Sequence, residues 1–293
     1  MTQDYELVTE SLISRVIQPR KIDSHKRDNG VVAIVGGSRI FHGAPYFASI
    51  AALRTGADLA YLAVPKMISS SIRSLAPELI VFPLADGKLT KGAASAFLKW
   101  VPEIDSIVLG PGIGRQNLEG IRKIVADICL ERKVRATLDA EAQDASVYSL
   151  VKGKECITTP HPGEFKRVFK ISAGDSLVEK ISNVREKASE FQITIVLKGY
   201  ETVISDGSAV YVNKVANAAM TCGGIGDILS GVLGALLASC KGKDVKPVEI
   251  AAAASYVVET AGLKAAERNG FHIIATDIVN EIPSVLKPFD KLA

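Results

Sequence analysis

The chain has 293 residues, of which 47% are hydrophobic and 23% are charged, as in an ordinary globular enzyme. Its net charge is +3 without a marked run of Lys and Arg, so nucleic acid and membrane surfaces are poor candidates for its partner. The four cysteines are widely spaced, which argues against a zinc site or a disulfide framework. The first residues have neither a basic segment nor an apolar core, so we expect no signal peptide and a cytoplasmic protein.

The predicted elements alternate between helices and buried strands. Residues 5–17 have helical spacing, and residues 18–29 read as a polar connecting loop. Short apolar runs then follow, several without polar alternation, which is typical of strands covered on both faces. These runs are residues 31–35, 59–64, 79–82, 106–109, 134–138, 156–159 and 193–197. Amphipathic stretches lie between them at 44–55, 118–130 and 177–191, so we predict an α/β fold with a mostly parallel central sheet and helices on both faces.

The last third of the chain has a different pattern. Residues 201–205 and 209–213 flank the turn Asp206-Gly207, which predicts a β-hairpin. Three helices should follow, and Thr276-Asp277 is the predicted cap of the last one. They cover residues 226–238, 247–268 and 277–286. Because no long linker or internal repeat interrupts the sequence, a single domain over residues 1–293 is the simplest organisation, with residues 1–29 as an N-terminal helix and connecting loop.

Unusual clusters follow the predicted strands, where parallel sheets bind ligands. Residues 110–114 contain three glycines, more than a turn needs, which suggests a close approach of backbone to ligand, whereas Gly36-Gly37 fits a tight turn equally well. Asp139 could hold a ligand hydroxyl or a metal-bound water, or cap a turn. His161, fixed between two prolines, could contact a ligand or be structural. Lys198 could meet a phosphate or merely end its strand.

The strongest cluster is Gly223-Gly224-Ile225-Gly226-Asp227, at the start of an apolar helix. Free backbone N–H groups at a helix N-terminus favour an anion, and the three glycines let the backbone wrap a phosphate. Asp227 is open to two interpretations. It could be an acid that favours the helix dipole, or a general base that draws a proton from a hydroxyl in phosphoryl transfer. Walker A and Rossmann nucleotide patterns are both missing from the sequence.

Taken in order, these clusters resemble the ribokinase-like superfamily and, within it, the NAD(P)H-hydrate dehydratase family. The matching stretches are residues 35–38, 43–44, 51–54, 56–57, 77–78, 110–114, 138–140, 159–164, 198–199 and 217–231. The resemblance spans roughly residues 26–265 and implies a ribokinase-like three-layer sandwich. It also implies a repair reaction, in which the hydroxyl added to the nicotinamide ring of NADH or NADPH is phosphorylated and then leaves as phosphate. The implied donor is ADP or ATP with Mg²⁺, and we favour ADP.

The resemblance also implies a role for individual residues. Asp227 would be the base, and residues 223–226, including Gly224 and Gly226, would form the anion hole for the transferred phosphoryl group. The implied contacts of the hydrated dinucleotide are Ala44, Gly112, Gly114, His161 and Asp227. The implied nucleotide pocket comprises Lys198, Gly199, Tyr200, Glu201, Thr202, Asn217 and Gly226. No residue is assigned as a metal ligand, although Asn217 and Asp139 are weaker candidates for contacts through Mg²⁺ or water.

Three positions depart from the family pattern. Ile225 stands where threonine is usual, so backbone N–H groups must bind the phosphate without that hydroxyl; Arg27 replaces a common glycine, and Glu141 a second aspartate. Two alternatives stay open on the same fold: a small-molecule kinase of the hydroxyethylthiazole or pyrimidine type, and a nucleotide-binding regulator without catalysis. Alanines that look exposed lead us to expect a homo-oligomer.

Overall fold

The structure is a computed structural model that describes residues 4–85, 87–114, 117–215 and 217–293. The ten strands found within these ranges form one sheet. They are β1 (Glu6–Leu7), β2 (Val31–Val35), β3 (Leu59–Pro65), β4 (Ile80–Leu84), β5 (Ser106–Leu109), β6 (Arg135–Leu138), β7 (Cys156–Thr158), β8 (Thr194–Leu197), β9 (Thr202–Ser205) and β10 (Val210–Asn213). Most of these strands are buried along their whole length, as strands with covered faces must be.

The order of the strands in the sheet is β1-β10-β9-β8-β7-β6-β5-β2-β3-β4. All described pairs are parallel except those that β9 makes with β8 and β10. β2 lies between β3 and β5, so successive strands are added to either side of it. This reversal of strand order is a switch point, where the loops after β2 and β5 diverge and leave a crevice at the carboxyl ends.

Helices cover both faces of the sheet. The helices are α1 (Glu10–Val16), α2 (Gly43–Thr55), α3 (Lys66–Leu75), α4 (Lys91–Trp100), α5 (Leu118–Val125), α6 (Ala145–Leu150), α7 (Pro162–Phe169), α8 (Leu177–Phe191), α9 (Ile225–Ser239), α10 (Pro247–Asn269) and α11 (Ala275–Leu286). Alternate residues of β2 point to opposite faces: Ala33 packs in a core with α4 to α8, and Ile34 in a core with α2, α3 and α9. A third apolar cluster joins α1, α9, α10 and α11 over β8 to β10.

This architecture is the predicted α/β sandwich, and the hairpin of β9 and β10 is also confirmed. The bounds of β2 and β5 match the predicted runs because both strands are almost entirely apolar and are buried on both faces. Helices α3, α4, α6 and α7 were not predicted. The helix predicted over residues 5–17 is wrong in its first part, since Glu6 and Leu7 pair with β10 and the helix begins only at Glu10.

The predicted cap of the last helix is also wrong. Helix α11 begins at Ala275, so Thr276 and Asp277 lie inside its first turn. The Asp277 carboxylate reaches back and accepts the Ile274 N–H at 2.9 Å. The acid therefore closes the helix start from within the first turn.

Within the four ranges that the structure describes, no helix is long and apolar enough to span a membrane. The alanines of α10 do not form an exposed patch, because Ala251, Ala254, Ala261 and Ala265 are fully buried inside the chain. They therefore give no support to the expected homo-oligomer, which remains a prediction together with the single-domain organisation.

Candidate active site

The glycine turn before α9 lies at the N-terminus of the most buried helix. Gly224 has a φ of 103°, in the left-handed region that favours glycine, and α9 begins at the next residue. A Cβ atom on Gly224 would lie 2.8 Å from the Ala275 Cβ, so α11 also requires a glycine there. A Cβ atom on Gly223 would have nothing within 4 Å. Packing thus accounts for Gly224, whereas Gly223 borders open space beside the helix N-terminus.

Lys198, at the end of β8, reaches over this turn. A Cβ atom on Gly226 would lie 3.2 Å from Lys198 Nζ. The ammonium lies 3.4 Å from Asp139 Oδ1, directly after β6, and 3.7 Å from Glu164 Oε2, in the first turn of α7 after β7. Three strand ends and one helix start therefore bring one cation and three carboxylates together, the third being Asp227.

The Asp227 carboxyl occupies the first turn of α9 and is half-buried. Burial raises its pKa to about 7, the negative charges of Asp139 and Glu164 act in the same direction, and Lys198 opposes them. A carboxyl group with a pKa near neutrality can exchange a proton with a substrate hydroxyl at physiological pH. A role as partner of the helix dipole does not by itself explain the raised pKa, because an acid in the first turn of a helix interacts favourably with the dipole in its charged form.

The Lys198 ammonium keeps its charge. Burial by itself would lower its pKa, but Asp139 and Glu164 outweigh burial, and the pKa is raised. A permanently charged donor that lies beside a helix N-terminus can bind the oxygen atoms of a phosphate.

Asp139 is held in place by buried neighbours. Thr159 Oγ1 donates to Asp139 Oδ1 at 2.7 Å, and Gln143 Nε2 lies 3.4 Å from the same oxygen. All three residues are buried, with at most 3% of their surface exposed. These contacts hold the Asp139 carboxylate in place, and this carboxylate orients Lys198. Asp139 therefore has a positioning role in the site that does not depend on the ligand.

His161 caps helix α7. Its Nδ1 accepts the N–H of Gly163 at 3.0 Å, while the Glu164 carboxylate accepts the His161 N–H at 2.9 Å. This reciprocal pair is a capping box, and it orients Glu164 toward Lys198. The imidazole is 57% exposed, so it can serve as a cap and still face a ligand.

Ala44 and Gly112 lie side by side at the switch point. A Cβ atom on Gly112 would lie 2.9 Å from the Ala44 Cβ and 2.7 Å from the Phe41 carbonyl oxygen. Gly114 is next to Asn117, whose amide donates to its carbonyl. These glycines thus let loops of the protein approach each other. Phe47, one turn after Ala44, lies near Gly224 and links this pair to the glycine turn.

The segment after Lys198 is the short connection between β8 and β9. Gly199 and Tyr200 are exposed, and Glu201 lies 3.8 Å from the Lys214 ammonium. Thr202 is buried, and its hydroxyl donates to Glu259 Oε1 at 2.7 Å. Asn217 lies farther along, where its side chain accepts the Ala219 N–H at 2.9 Å. The described contact of Asn217 is therefore local to its own turn.

Glu164 and Glu259 were given no role in the sequence-based prediction. Glu164 was visible as the third residue after His161, the spacing of a capping box, but its contact with Lys198 depends on the sheet order. Glu259 is an acid inside the apolar stretch 250–261 of α10, which is a signal for a special environment. Burial raises its pKa to about 8, against the opposing effect of the Thr202 hydroxyl.

A sequence profile described as NAD(P)H-hydrate dehydratase matches residues 32–284. The ADP-dependent (S)-NAD(P)H-hydrate dehydratase of Nitrosopumilus maritimus is 44% identical over 97% of this chain and 98% of its own length. The chain belongs to the NAD(P)H-hydrate dehydratase family.

Two further comparisons agree with the dehydratase family. The enzyme of the same name from Cenarchaeum symbiosum is 42% identical, over 98% of both chains. The crystal structure of the ADP/ATP-dependent NAD(P)H-hydrate dehydratase from Bacillus subtilis, co-crystallised with ATP/Mg²⁺, superposes with a TM-score of 0.83 at 25% identity and covers 99% of this chain and 100% of that one. The fold and the family expected from the sequence are therefore confirmed.

Proposed function

We propose that this chain removes the added water from (S)-NADH hydrate and (S)-NADPH hydrate, with ADP as the favoured phosphoryl donor. The proposal rests on one observation above all: the half-buried Asp227 carboxyl, with a pKa of about 7, lies at a helix N-terminus beneath the Lys198 ammonium. ADP is favoured over ATP because the archaeal relatives, at 44% and 42% identity, are both ADP-dependent dehydratases.

In the proposed first step, Asp227 takes the proton from the ring hydroxyl of the hydrate. The oxygen atom then bonds to the β-phosphorus of ADP as the bond to the leaving AMP breaks. The backbone N–H groups of residues 223–226 and the Lys198 ammonium would stabilise the transferred phosphoryl group.

In the proposed second step, the ring C–O bond breaks and phosphate leaves with the electron pair. The adjacent ring carbon loses a proton to water, and the electron pair of its C–H bond restores the ring double bond. Phosphorylation matters because phosphate is a far better leaving group than hydroxide. Ala44, Gly112, Gly114 and His161 would contact the hydrated dinucleotide, and residues 198–202 with Asn217 would line the nucleotide pocket.

Mg²⁺ fits this edge as a partner of the nucleotide. Among the described residues, no group of three or more His, Cys, Asp or Glu side chains could hold a metal ion by itself. Mg²⁺ commonly binds through substrate phosphates, waters and one or two carboxylates, and Asp139 is the carboxylate of this edge that would hold it, directly or through water. The ion would neutralise charge on the phosphates.

The proposal is tested with NADH hydrate, Mg²⁺ and either ADP or ATP, by following the return of NADH absorbance. We expect turnover with ADP and a loss of about 10²–10⁴-fold in kcat for Asp227→Asn, the usual share of a general base. Asp244→Asn, at an exposed loop residue, is the matched control and should retain turnover.

Two outcomes would count against the proposal. No return of NADH with either nucleotide, for protein that binds one of them, would favour the regulator. Substantial turnover in Asp227→Asn would remove Asp227 from the base role and leave the reaction itself in place.

A further inference from the structure

A large open cavity lies away from the candidate active site. It encloses about 1010 Å³ and borders residues that precede strands, such as Asn29 before β2 and Asp105 before β5. It is therefore at the opposite edge of the sheet from Asp227. The connecting loop 18–29 and the C-terminal residues form one wall, where Arg20 and Lys291 are joined by a backbone hydrogen bond of 2.9 Å.

The lining of this cavity is strongly cationic. Eight of its side chains are basic and three are acidic, a surplus of five positive charges. The basic ones are Arg20, Lys21, Arg27, Arg54, Lys241, Lys243, Lys287 and Lys291, and the acidic ones are Asp28, Asp105 and Asp290. The whole chain has 35 Lys and Arg against 32 Asp and Glu, so the remainder has 27 against 29. The net positive charge of the molecule is thus concentrated at this cavity.

Helix dipoles explain only part of this charge. Four helices, α1, α2, α9 and α11, end at lining residues, and each C-terminus carries about half a negative charge. Together they offset about two of the five surplus charges, which leaves about three. A concave surface with one sign of charge focuses the field on a counter-ion.

Among the described residues, one of these eight cations is paired with an acid. Lys241 is paired with Asp105 at 2.6 Å, whereas Arg20 and Arg27 donate to backbone carbonyls, which position them but carry no full charge. In the part of the chain that the structure describes, four have neither an ion pair nor a hydrogen bond from the side chain. They are Lys21, Arg54, Lys243 and Lys287.

We propose that this cavity binds a small soluble anion that carries more than one phosphate group. One phosphate monoester carries at most about two negative charges at neutral pH, so a surplus of about three calls for a diphosphate. The volume is at the upper end for small-molecule sites, and Ile17, Pro19 and Leu292 supply apolar surface for an organic group. The diphosphate of a nucleotide and free pyrophosphate share this chemistry.

The test is calorimetric titration of the full chain with inorganic pyrophosphate, at two salt concentrations. The triple variant Lys21→Gln, Arg54→Gln, Lys287→Gln removes three unpaired cations from the cavity. Lys99→Gln, Lys152→Gln, Lys154→Gln makes the same change of charge at exposed sites elsewhere. We expect salt-sensitive binding that weakens about tenfold in the cavity variant and less than about twofold in the control.

A variant that should bind pyrophosphate more tightly provides an independent test. Asp290 is an exposed acid of the lining, so Asp290→Asn should tighten pyrophosphate binding. Titrations with ADP and NADPH then distinguish a nucleotide from free pyrophosphate as the ligand. If the ligand is a nucleotide, the parent chain should bind one more nucleotide molecule than the cavity variant. Equal pyrophosphate affinity in the parent, cavity variant and control would overturn the proposal, and so would no change on Asp290→Asn. Turnover, which depends on the other edge, serves as the check that each variant is folded.

Discussion

At the scale of single residues, Asp227 couples burial to reactivity. Its pKa of about 7 arises first from burial and then from the neighbouring carboxylates, so the protonated form accumulates below neutrality. A base must be deprotonated to act. We therefore expect kcat/KM for the hydrate to rise with pH and to level off above about pH 7. Initial rates measured in overlapping buffers at constant ionic strength would check it, and a rate that is independent of pH across this range would contradict the assignment.

Glu259 is a second buried acid, and it makes a prediction for stability. Its pKa rises from 4.5 in the unfolded chain to about 8 in the folded one, so the folded state holds a proton that the unfolded state releases. The contribution of Glu259 to the free energy of unfolding is therefore fully present below about pH 4.5 and is lost as the pH rises toward 8. Glu259→Gln, which is neutral at every pH, should unfold at higher temperature than the parent chain above pH 8.

The control for Glu259 is its hydrogen-bond partner. Thr202→Val should lower stability at every pH, by about 1–3 kcal/mol, because it leaves Glu259 Oε1 without its described partner. Thermal unfolding across pH separates the two effects. If Glu259→Gln melts in parallel with the parent chain at all pH values, the buried carboxyl does not titrate as the environment requires.

At the scale of elements, the glycines of α9 and of the turn before it have two different roles, one in packing and one in the candidate site. A Cβ atom on Gly231 would overlap the Ala48 carbonyl of α2, whereas one on Gly223 would have free space. Gly231→Ala should therefore destabilise the chain by several kcal/mol through overpacking, and Gly223→Ala should leave its stability within about 0.5 kcal/mol. We expect Gly223→Ala instead to weaken nucleotide binding, since the added methyl group faces the proposed phosphate.

Urea unfolding and calorimetric ADP titration together test this contrast. Loss of stability in Gly223→Ala would show that the turn serves packing alone. Unchanged stability in Gly231→Ala would show that α2 and α9 can separate without cost.

Much of this element structure could be predicted from the sequence. Strands such as β2 and β5 are short, almost entirely apolar runs, so their bounds were predictable. Strand β1 has two residues and depends on its partner β10. The glycine turn was found because its spacing is local. The contact of Lys198 with Asp139 and Glu164 joins residues 59 and 34 positions apart, and only the order of the strands brings them together.

At the scale of the whole molecule, ligand binding should stabilise the native chain independently of chemistry. A nucleotide that binds only the folded state at 100 times its Kd adds about 2.7 kcal/mol to the free energy of unfolding. We expect ADP to raise the melting temperature of both the parent chain and Asp227→Asn, because the proposed pocket lies mainly along residues 198–202. Loss of this stabilisation in Asp227→Asn would indicate that the carboxyl binds nucleotide and does more than move a proton.

The reversed strand β9 bears on how this chain can change over evolution. Parallel neighbours are joined by long crossovers that tolerate insertions, but residues 198–201 connect two antiparallel strands directly. Adding or removing one residue there would turn each β9 side chain to the opposite face or force a bulge. Thr202 would then lose its hydrogen bond to Glu259, and Lys198 would move away from the carboxylates of Asp139 and Glu164. We therefore expect natural variants of this chain to differ here in residue type and to keep the same length.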